Sequence, residues 1–211
     1  MKNNNVQKFQ SALDKFVEKH KKNPNVIGIL LSGSFIHSKP DKNSDLDLSV
    51  VLKKSQFRER GNTWIEGIEI EYFINPIEQI KYYFKTEIGD KAPCTTHMFA
   101  NSYILYKKGN EIERLIKEAK KIMKKGVSPM GNMEKELAKY SLDDLQKDLE
   151  DTYLKKDRFA FSIIAMAILE KSLSVFTKLK KIQKEKSKRL REQLKNLEPE
   201  FEKLYSKALF E

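Results

Sequence analysis

Hydrophobic positions in the first half of the chain alternate between helical and strand spacing. Apolar residues recur every three or four positions over residues 6–20, which predicts an amphipathic helix that ends before Pro24. Two apolar runs follow, at residues 26–31 and 46–52, and both have the length and composition of buried strands. We expect the helix to pack on the sheet that these two strands form.

The same alternation continues to residue 125. Residues 67–74 alternate apolar and polar side chains, which indicates a third strand. The segment before it, residues 53–62, is polar and ends in Gly61-Asn62, which we interpret as a turn. Further along, the pattern predicts a helix that begins after Pro76, an irregular segment at 89–96, a strand at 103–106 and a helix at 110–125.

The second half of the chain has helical spacing only. Residues 126–132 contain two glycines and a proline, so we place a linker there. Helices are predicted at about 134–153, 157–180, 189–194 and 199–209. Because residues 163–169 are apolar on all sides, that helix should be central in a bundle. The fold class is therefore α+β, with a small mixed-sheet domain at 1–127 and an α-helical bundle domain at 128–211.

The composition of the chain indicates the cellular compartment of the protein. The 211 residues are 39% hydrophobic and 34% charged, which is typical of a globular protein. No apolar run approaches the roughly twenty residues that span a bilayer, and the N-terminus lacks the apolar core of a signal peptide. A single cysteine, Cys94, cannot form an internal disulfide. These features predict a cytoplasmic protein that does not contact a membrane.

The net charge of +11 raises the question of a nucleic-acid partner. Most of the excess is lysine scattered over helical faces, so charge alone does not indicate a binding groove. We rank a polyphosphate ligand above nucleic acid.

Candidate chemistry lies where the second strand begins. Asp45 and Asp47 share one face of that strand, whereas Leu46 and Leu48 point to the other. Two adjacent carboxylates repel each other, and a divalent cation offsets the repulsion. Oxygen-rich sites of this kind suit Mg²⁺.

The spacing of these residues resembles a known family. Gly33-Ser34 ends the first strand, and Ser44-Asp45-Leu46-Asp47-Leu48 opens the second. This pattern is similar to the nucleotidyltransferases of the DNA polymerase beta superfamily. The resemblance implies that Asp45 and Asp47 are catalytic and bind one or two Mg²⁺ ions, and that ATP or another nucleoside triphosphate is the co-substrate. It also implies that Gly33, Ser34 and Ser44 contact the phosphates, with Gly33 allowing close approach of the backbone.

The resemblance further implies a third catalytic acid on a neighbouring strand. Glu69 and Glu71 are two residues apart and share a face of the predicted third strand, so both are eligible. We favour Glu71, because an apolar run follows it. Glu69 stays open as the alternative.

The helical second half resembles the kanamycin and lincosamide nucleotidyltransferases. That resemblance implies transfer of AMP from ATP to a hydroxyl group of a small molecule such as an antibiotic, with release of pyrophosphate. Two alternatives stay open: transfer to a protein side chain or a tRNA end, and a nucleotide-binding module without catalysis. The oligomeric state is also open, and a homodimer is compatible with the sequence.

Several polar residues outside the motif have both a structural and a functional interpretation. A surface-loop histidine, a solvated helix start and an exposed glutamate are the simpler interpretations, whereas contact with phosphate or with the cleft is the functional one. These residues are His37, His97, Glu170, Lys186, Lys188 and Arg189.

Overall fold

The structure, a computed structural model, describes residues 2–36 and 44–210, with side chains from residue 7 onward. The segment between the first two predicted strands, which its polar composition at residues 38–44 predicts to be a loop, therefore lies almost entirely outside the described residues, as does His37. The chain divides into two compact units. The first comprises Met1–Ile88 and Pro93–Lys125, and the second comprises Gly89–Ala92 and Gly126–Glu211. The domain division proposed from the sequence, 1–127 and 128–211, stays a proposal.

The first unit is a five-stranded mixed sheet with helices on both faces. Its elements are α1 (Lys2–His20), β1 (Val26–Ser32), β2 (Leu46–Leu52), β3 (Glu59–Ile65), β4 (Ile68–Pro76), α2 (Ile77–Thr86), α3 (Cys94–Ala100), β5 (Tyr103–Lys107) and α4 (Glu111–Met123). A short 3₁₀ turn, Ser34–Ile36, follows β1. The strand order is β3-β4-β2-β1-β5. β2 and β4 are parallel, and the other three pairings of the described strands are antiparallel.

Side chains on one face of the sheet pack against α1, and side chains on the other face pack against α2, α3 and α4. Alternation along each strand produces the two sets. The α1 side is closed by Phe9, Ala12, Leu13 and Phe16, which pack on Ile29, Leu46, Leu48, Val50 and Ile70. The other side is closed by Ile80, Phe84, Phe99, Ile112 and Leu115, which pack on Ile27, Leu30 and Val51. The prediction that α1 packs on the sheet is confirmed.

β3 corrects one element of the sequence prediction. Residues 53–62 were interpreted as a polar connection with a turn at Gly61-Asn62, but these two residues lie within β3 and pair with Tyr72 and Glu71. The turn instead lies at Glu66-Gly67, where both residues have positive φ (53° and 77°), as tight hairpins require. β3 is a largely exposed edge strand, so its sequence lacks the apolar alternation of a buried strand.

The helix α3 is a second difference. Residues 89–96 were expected to be irregular, whereas Cys94–Ala100 form a short helix. Its start is stabilised by a side chain distant in sequence, because the Glu87 carboxylate accepts hydrogen bonds from the backbone N–H groups of Thr95 and Thr96, at 3.0 and 2.7 Å. Because the capping side chain lies outside α3, the residues at the start of this helix do not show the usual N-cap pattern.

The second unit is helical, as the spacing predicted. It contains α5 (Asn132–Leu154), α6 (Arg158–Leu179), α7 (Ser187–Leu197) and α8 (Pro199–Phe210). Three residues join α5 to α6, and Asp157 caps α6 by accepting a hydrogen bond from the backbone N–H of Ala160 at 3.0 Å. The small core consists of Leu173, Ile182 and Leu194, against which the stacked rings of Phe176 and Phe201 pack.

The apolar run at 163–169 is not central in this unit, contrary to the prediction. The buried residues of α6 are Leu173 and Thr177, near its C-terminal end, because the core of the unit forms there with α7 and α8. α6 is also long and apolar enough to cross a membrane by length and composition, although only 6% of its most apolar window is buried. The expectation that no apolar run approaches membrane-spanning length therefore has one exception among the described residues. Core helices of soluble proteins can have the same length and apolar composition.

Candidate active site

Asp45 and Asp47 occupy the entrance to β2 on the face that does not contact α1. Leu46 and Leu48 point the other way and are fully buried in the α1-side core. The alternation of side chains along a strand therefore leaves the two carboxylates half-buried on the opposite face. Burial of the leucines fixes the direction in which the acids point, because a slip of one residue would turn the leucines out of the α1-side core and the acids into it.

Glu71 joins the two aspartates from the neighbouring strand. β2 and β4 are parallel, and Asp47 and Glu71 are direct partners in their register. One carboxylate oxygen each from Asp45, Asp47 and Glu71 lies within 4.8 Å of the other two. We refer to these three side chains as the acid cluster.

Glu69 lies two residues earlier on the same face of β4 and is not part of the acid cluster. It pairs with Trp64 in the register, and its Oε1 accepts a hydrogen bond from Nδ2 of Asn62 at 2.6 Å. Of the two eligible glutamates, Glu71 is the one that the structure brings to the aspartates.

The turn after β1 lies against Asp47. Gly33 has a φ of +84°, and a Cβ atom at this position would overlap the Asp47 carboxylate. The preceding residue, Ser32, is a register partner of Asp47 and donates a hydrogen bond from its hydroxyl to the Asp47 carbonyl oxygen at 3.3 Å. Glycine is required here for both conformation and space. Ser34 begins the 3₁₀ turn, and Ser44 directly precedes Asp45.

Arg60 on β3 contacts the acid cluster and was not identified from the sequence. Its Nε and Nη2 groups both donate to Oε1 of Glu71, at 2.9 and 2.6 Å. These hydrogen bonds raise the pKa of Arg60. Arg60 lies in a polar segment, residues 53–62, whose composition is typical of a connection between strands. The register of β3 with β4 brings the residue to Glu71, and no local pattern reveals that register.

The acid cluster fits a hard divalent cation. Its three ligands are carboxylates, which Mg²⁺ prefers, and the cluster contains neither histidine nor cysteine, which zinc sites favour. The Arg60 guanidinium offsets part of the negative charge through its ion pair with Glu71.

The remaining candidates lie on helices. His97 is exposed on α3 in the first unit. In the second unit, Glu170 is exposed on α6, whereas Lys186, Lys188 and Arg189 are exposed at the start of α7. These positions agree with the simpler interpretation of each residue as a solvated polar side chain.

Comparison with solved structures finds similar folds. The chain is similar to a nucleotidyltransferase-like protein from Exiguobacterium sibiricum 255-15, with a TM-score of 0.51 and 12% sequence identity. The alignment covers 94% of this chain and 66% of that one, so the chain spans just under two thirds of its length. At this identity the similarity concerns the fold. No curated protein matches the sequence.

Comparison with protein families shows a similarity at the level of the sequence as well. The model of the nucleotidyltransferase domain matches residues 12–117, which is half of the chain and includes Gly33, Ser34 and all three members of the acid cluster. The matched region is also the part that forms the mixed sheet. The chain therefore belongs to the nucleotidyltransferase domain family.

Proposed function

We propose that this protein transfers a nucleoside monophosphate, in the simplest case AMP from ATP, to a hydroxyl group of a small molecule and releases pyrophosphate. Family membership supports an enzyme that transfers nucleotides. The single observation that carries the proposal is the convergence of Asp45, Asp47 and Glu71 beside the Gly33 turn.

Asp45 and Asp47 are the proposed ligands of one or two Mg²⁺ ions. When bound, Mg²⁺ would offset negative charge on the phosphates of the nucleotide. Glu71 either completes the ligand set or accepts the proton of the acceptor hydroxyl. Since the Arg60 guanidinium holds Oε1 of Glu71, Arg60 also orients this carboxylate.

Gly33, Ser34 and Ser44 are the proposed phosphate contacts. The absence of a side chain at Gly33 leaves the turn open to a close approach of phosphate oxygens. The hydroxyl groups and backbone N–H groups of the two serines are suitable donors to phosphate.

The reaction needs an in-line arrangement around the α-phosphorus. The acceptor oxygen forms a bond to this phosphorus as the bond to the bridging oxygen of the β-phosphate breaks, and the hydroxyl proton passes to a carboxylate. Pyrophosphate leaves on the side of the Gly33 turn, next to β1. The acceptor then approaches from the other side of Asp47, where β4 and β3 lie.

The acceptor class and compartment belong to the same proposal. Similarity of the helical half to the kanamycin and lincosamide enzymes suggests an antibiotic acceptor, and a role in resistance would follow. The single cysteine, Cys94, is consistent with a reducing cytoplasm. The net charge of +11 favours a second candidate, transfer to a tRNA end or to a protein side chain.

Pyrophosphate release tests the proposal. The assay contains ATP, Mg²⁺ and, in turn, an aminoglycoside, a lincosamide and bulk tRNA. We expect Asp47→Asn to reduce release at least ~100-fold, the loss typical when one group that stabilises transition-state charge is removed. Asp14→Asn, which makes the same change at an exposed position on α1, is the matched control and should retain activity.

Undiminished pyrophosphate release by Asp47→Asn would refute the proposed catalytic role of Asp47. Release with tRNA alone would replace the small-molecule acceptor by the macromolecular one. ATP binding without release for any acceptor, including whole-cell lysate, would support the non-catalytic module instead.

A further inference from the structure

A cavity of about 540 Å³ lies in the first unit, on the sheet face that carries the acid cluster. Its lining includes Ser49 and Phe73, which are register partners and follow Asp47 and Glu71 on the same face of their strands. Two residues of a strand advance by roughly 7 Å, so Ser49 and Phe73 lie about that far from the acids. Arg60, which also lines the cavity, contacts Glu71 directly. Its volume is within the range of small-molecule sites.

Two arginines line this cavity on the β3 side. Arg58 donates a hydrogen bond from Nη1 to Oε1 of Gln79 at 3.2 Å and another from Nη2 to the Tyr83 hydroxyl. The guanidinium carbon of Arg58 lies 5.7 Å from the centre of the Tyr83 ring, and that of Arg60 lies 5.1 Å from the centre of the Phe73 ring. Contacts with the rings hold both cations at the cavity.

Glu59 does not neutralise Arg58, although it also lines the cavity, whereas Arg60 is already paired with Glu71. Glu59 lies between Arg58 and Arg60, so its side chain points to the opposite face of β3. There its Oε1 accepts a hydrogen bond at 2.5 Å from the hydroxyl of Tyr72, which packs on the α1-side core. Among the described lining residues, Arg58 is therefore the cation at the cavity whose hydrogen bonds go to neutral groups, those of Gln79 and Tyr83.

We propose that this cavity binds the acceptor and selects one that carries a carboxylate or a phosphate group. The inference rests on the proposed function, because it takes the β4 and β3 side of the acid cluster as the acceptor side. The Arg58 guanidinium matches both anions with N–H donors, whereas it repels a polycation such as an aminoglycoside. Phe73, Tyr83 and Met98 provide an apolar surface for the body of the acceptor.

A matched pair of probes tests this charge preference without catalysis. 4-Methylumbelliferyl glucuronide and 4-methylumbelliferyl glucoside share a planar body and sugar hydroxyls, and they differ in one carboxylate. Dissociation constants are measured by calorimetry in the absence of ATP and metal. We expect the glucuronide to bind roughly 10-fold more tightly, as one charge-assisted hydrogen bond implies.

Arg58 is the residue to change, because it contacts no member of the acid cluster. Arg58→Gln should reduce the preference for the glucuronide to about threefold or less, with Arg58→Lys intermediate because it keeps charge but loses the paired donors. Arg114→Gln, at an exposed position on α4, is the matched control and should leave the preference unchanged.

Equal binding of the two probes by the wild type, tighter binding of kanamycin, or an undiminished preference in Arg58→Gln would each overturn the inference. Its failure is distinct from failure of the proposed function. Pyrophosphate release that depends on Asp47, without a charge preference, contradicts the inference alone. A charge preference that depends on Arg58, combined with undiminished release by Asp47→Asn, contradicts the proposed reaction alone.

An independent observation in the second unit concerns α6. Phe159, Ile163 and Met166 are spaced by four and three residues and therefore form one stripe. Tyr153 and Leu154 lie at the adjoining end of α5, and between 51% and 81% of each of these five residues is exposed. We name these five residues the hairpin face.

The exposed area of the hairpin face is large for a monomer. At about 150–200 Å² for a large side chain, the five residues expose on the order of 500–700 Å². The largest apolar patch of a typical monomer is about 300–600 Å², whereas each partner of a stable dimer buries roughly 800 Å².

The charges along the hairpin suit a second copy of the same chain. At its turn, three exposed cations, Lys155, Lys156 and Arg158, outnumber one acid, Asp157, and Lys155 also pairs with Asp151. Residues 143–151 of α5 contain five exposed acids and one lysine. A two-fold axis that pairs two hairpins antiparallel would bring the basic turn of one copy toward the acidic row of the other. We infer that the hairpin face is a homodimer interface.

Sedimentation velocity at micromolar concentration tests this interface. We expect a dimer for the wild type, a monomer for Ile163→Asp, and a dimer for Leu197→Asp, which places the same charge at an exposed apolar position on α7. Phe159→Ser serves as a second, milder variant, and circular dichroism checks that each variant is folded. A monomeric wild type, a dimer that persists in Ile163→Asp, or co-sedimentation of the wild type with phosphatidylglycerol vesicles would each refute the interface.

Discussion

At the scale of single residues, Gly33 leaves room for the Asp47 carboxylate of the acid cluster. Its backbone is in the left-handed region, and a side chain would occupy the space of the Asp47 carboxylate. We expect Gly33→Ala to displace that carboxylate, weaken Mn²⁺ binding measured by calorimetry and reduce pyrophosphate release at least ~10-fold. Gly67→Ala is the control, because Gly67 also has positive φ but has open space around it. Equal Mn²⁺ affinity in Gly33→Ala and the wild type would contradict this role of Gly33.

Glu71 and Glu69 are also distinguished at the residue scale. Glu71 lies within 4.8 Å of both aspartates by its carboxylate oxygen, whereas Glu69 hydrogen-bonds to Asn62. We expect Glu71→Gln to reduce pyrophosphate release at least ~100-fold and Glu69→Gln to reduce it by no more than about threefold. The two variants remove the same charge from the same strand, so each is the control for the other. The reverse order of effects would assign the third acid to Glu69.

At the scale of elements, the C-terminal turn of α1 contains a histidine whose protonation opposes folding. The His20 ring stacks on Phe16 with ring centres 4.0 Å apart, and burial lowers the pKa of His20 below its usual 6.5. The folded state thus favours neutral His20, and the resulting stability is present above pH 6.5 and lost as pH falls through the lowered pKa. NMR titration should give a midpoint below 6.5 for this ring. A midpoint at or above 6.5 would contradict the burial argument.

The packing of α4 on the sheet gives a second prediction at this scale. Leu115 is buried in the core between α4 and the sheet, so Leu115→Ala should reduce the free energy of unfolding by about 2–5 kcal/mol. Ile88→Ala changes a largely exposed side chain and should cost less than about 1 kcal/mol. Urea unfolding measures both. A similar small loss in the two variants would show that this core is not well packed.

At the scale of the whole molecule, binding of a cation to the acid cluster should stabilise the folded chain. A ligand that binds only the folded state adds about 2.7 kcal/mol at 100 times its dissociation constant. We therefore expect Mg²⁺ or Mn²⁺ to raise the thermal midpoint of the wild type, and Asp47→Asn to abolish the shift. Asp14→Asn should retain it. A shift of equal size in Asp47→Asn would place cation binding elsewhere on the chain.

The local periodicity of apolar residues was sufficient to predict most helices and strands of the first unit. The apolar runs of β1 and β2 and the stripe of α1 are set by burial on one face, so their sequences reveal both element type and orientation. β3 is an exposed edge strand, and the start of α3 is capped by Glu87 from outside the helix, so neither has a comparable local pattern. The expected burial of residues 163–169 failed because composition does not specify which segment covers a helix.

The sequence by itself determined the α+β class and placed Asp45 and Asp47 on one face of a strand, because side-chain alternation and the burial of Leu46 and Leu48 are local consequences of the chain. Only the tertiary structure distinguished Glu71 from Glu69 by proximity and brought Arg60 to the acid cluster. Both depend on the register between strands that are distant in sequence, and that register is set by packing across the whole sheet.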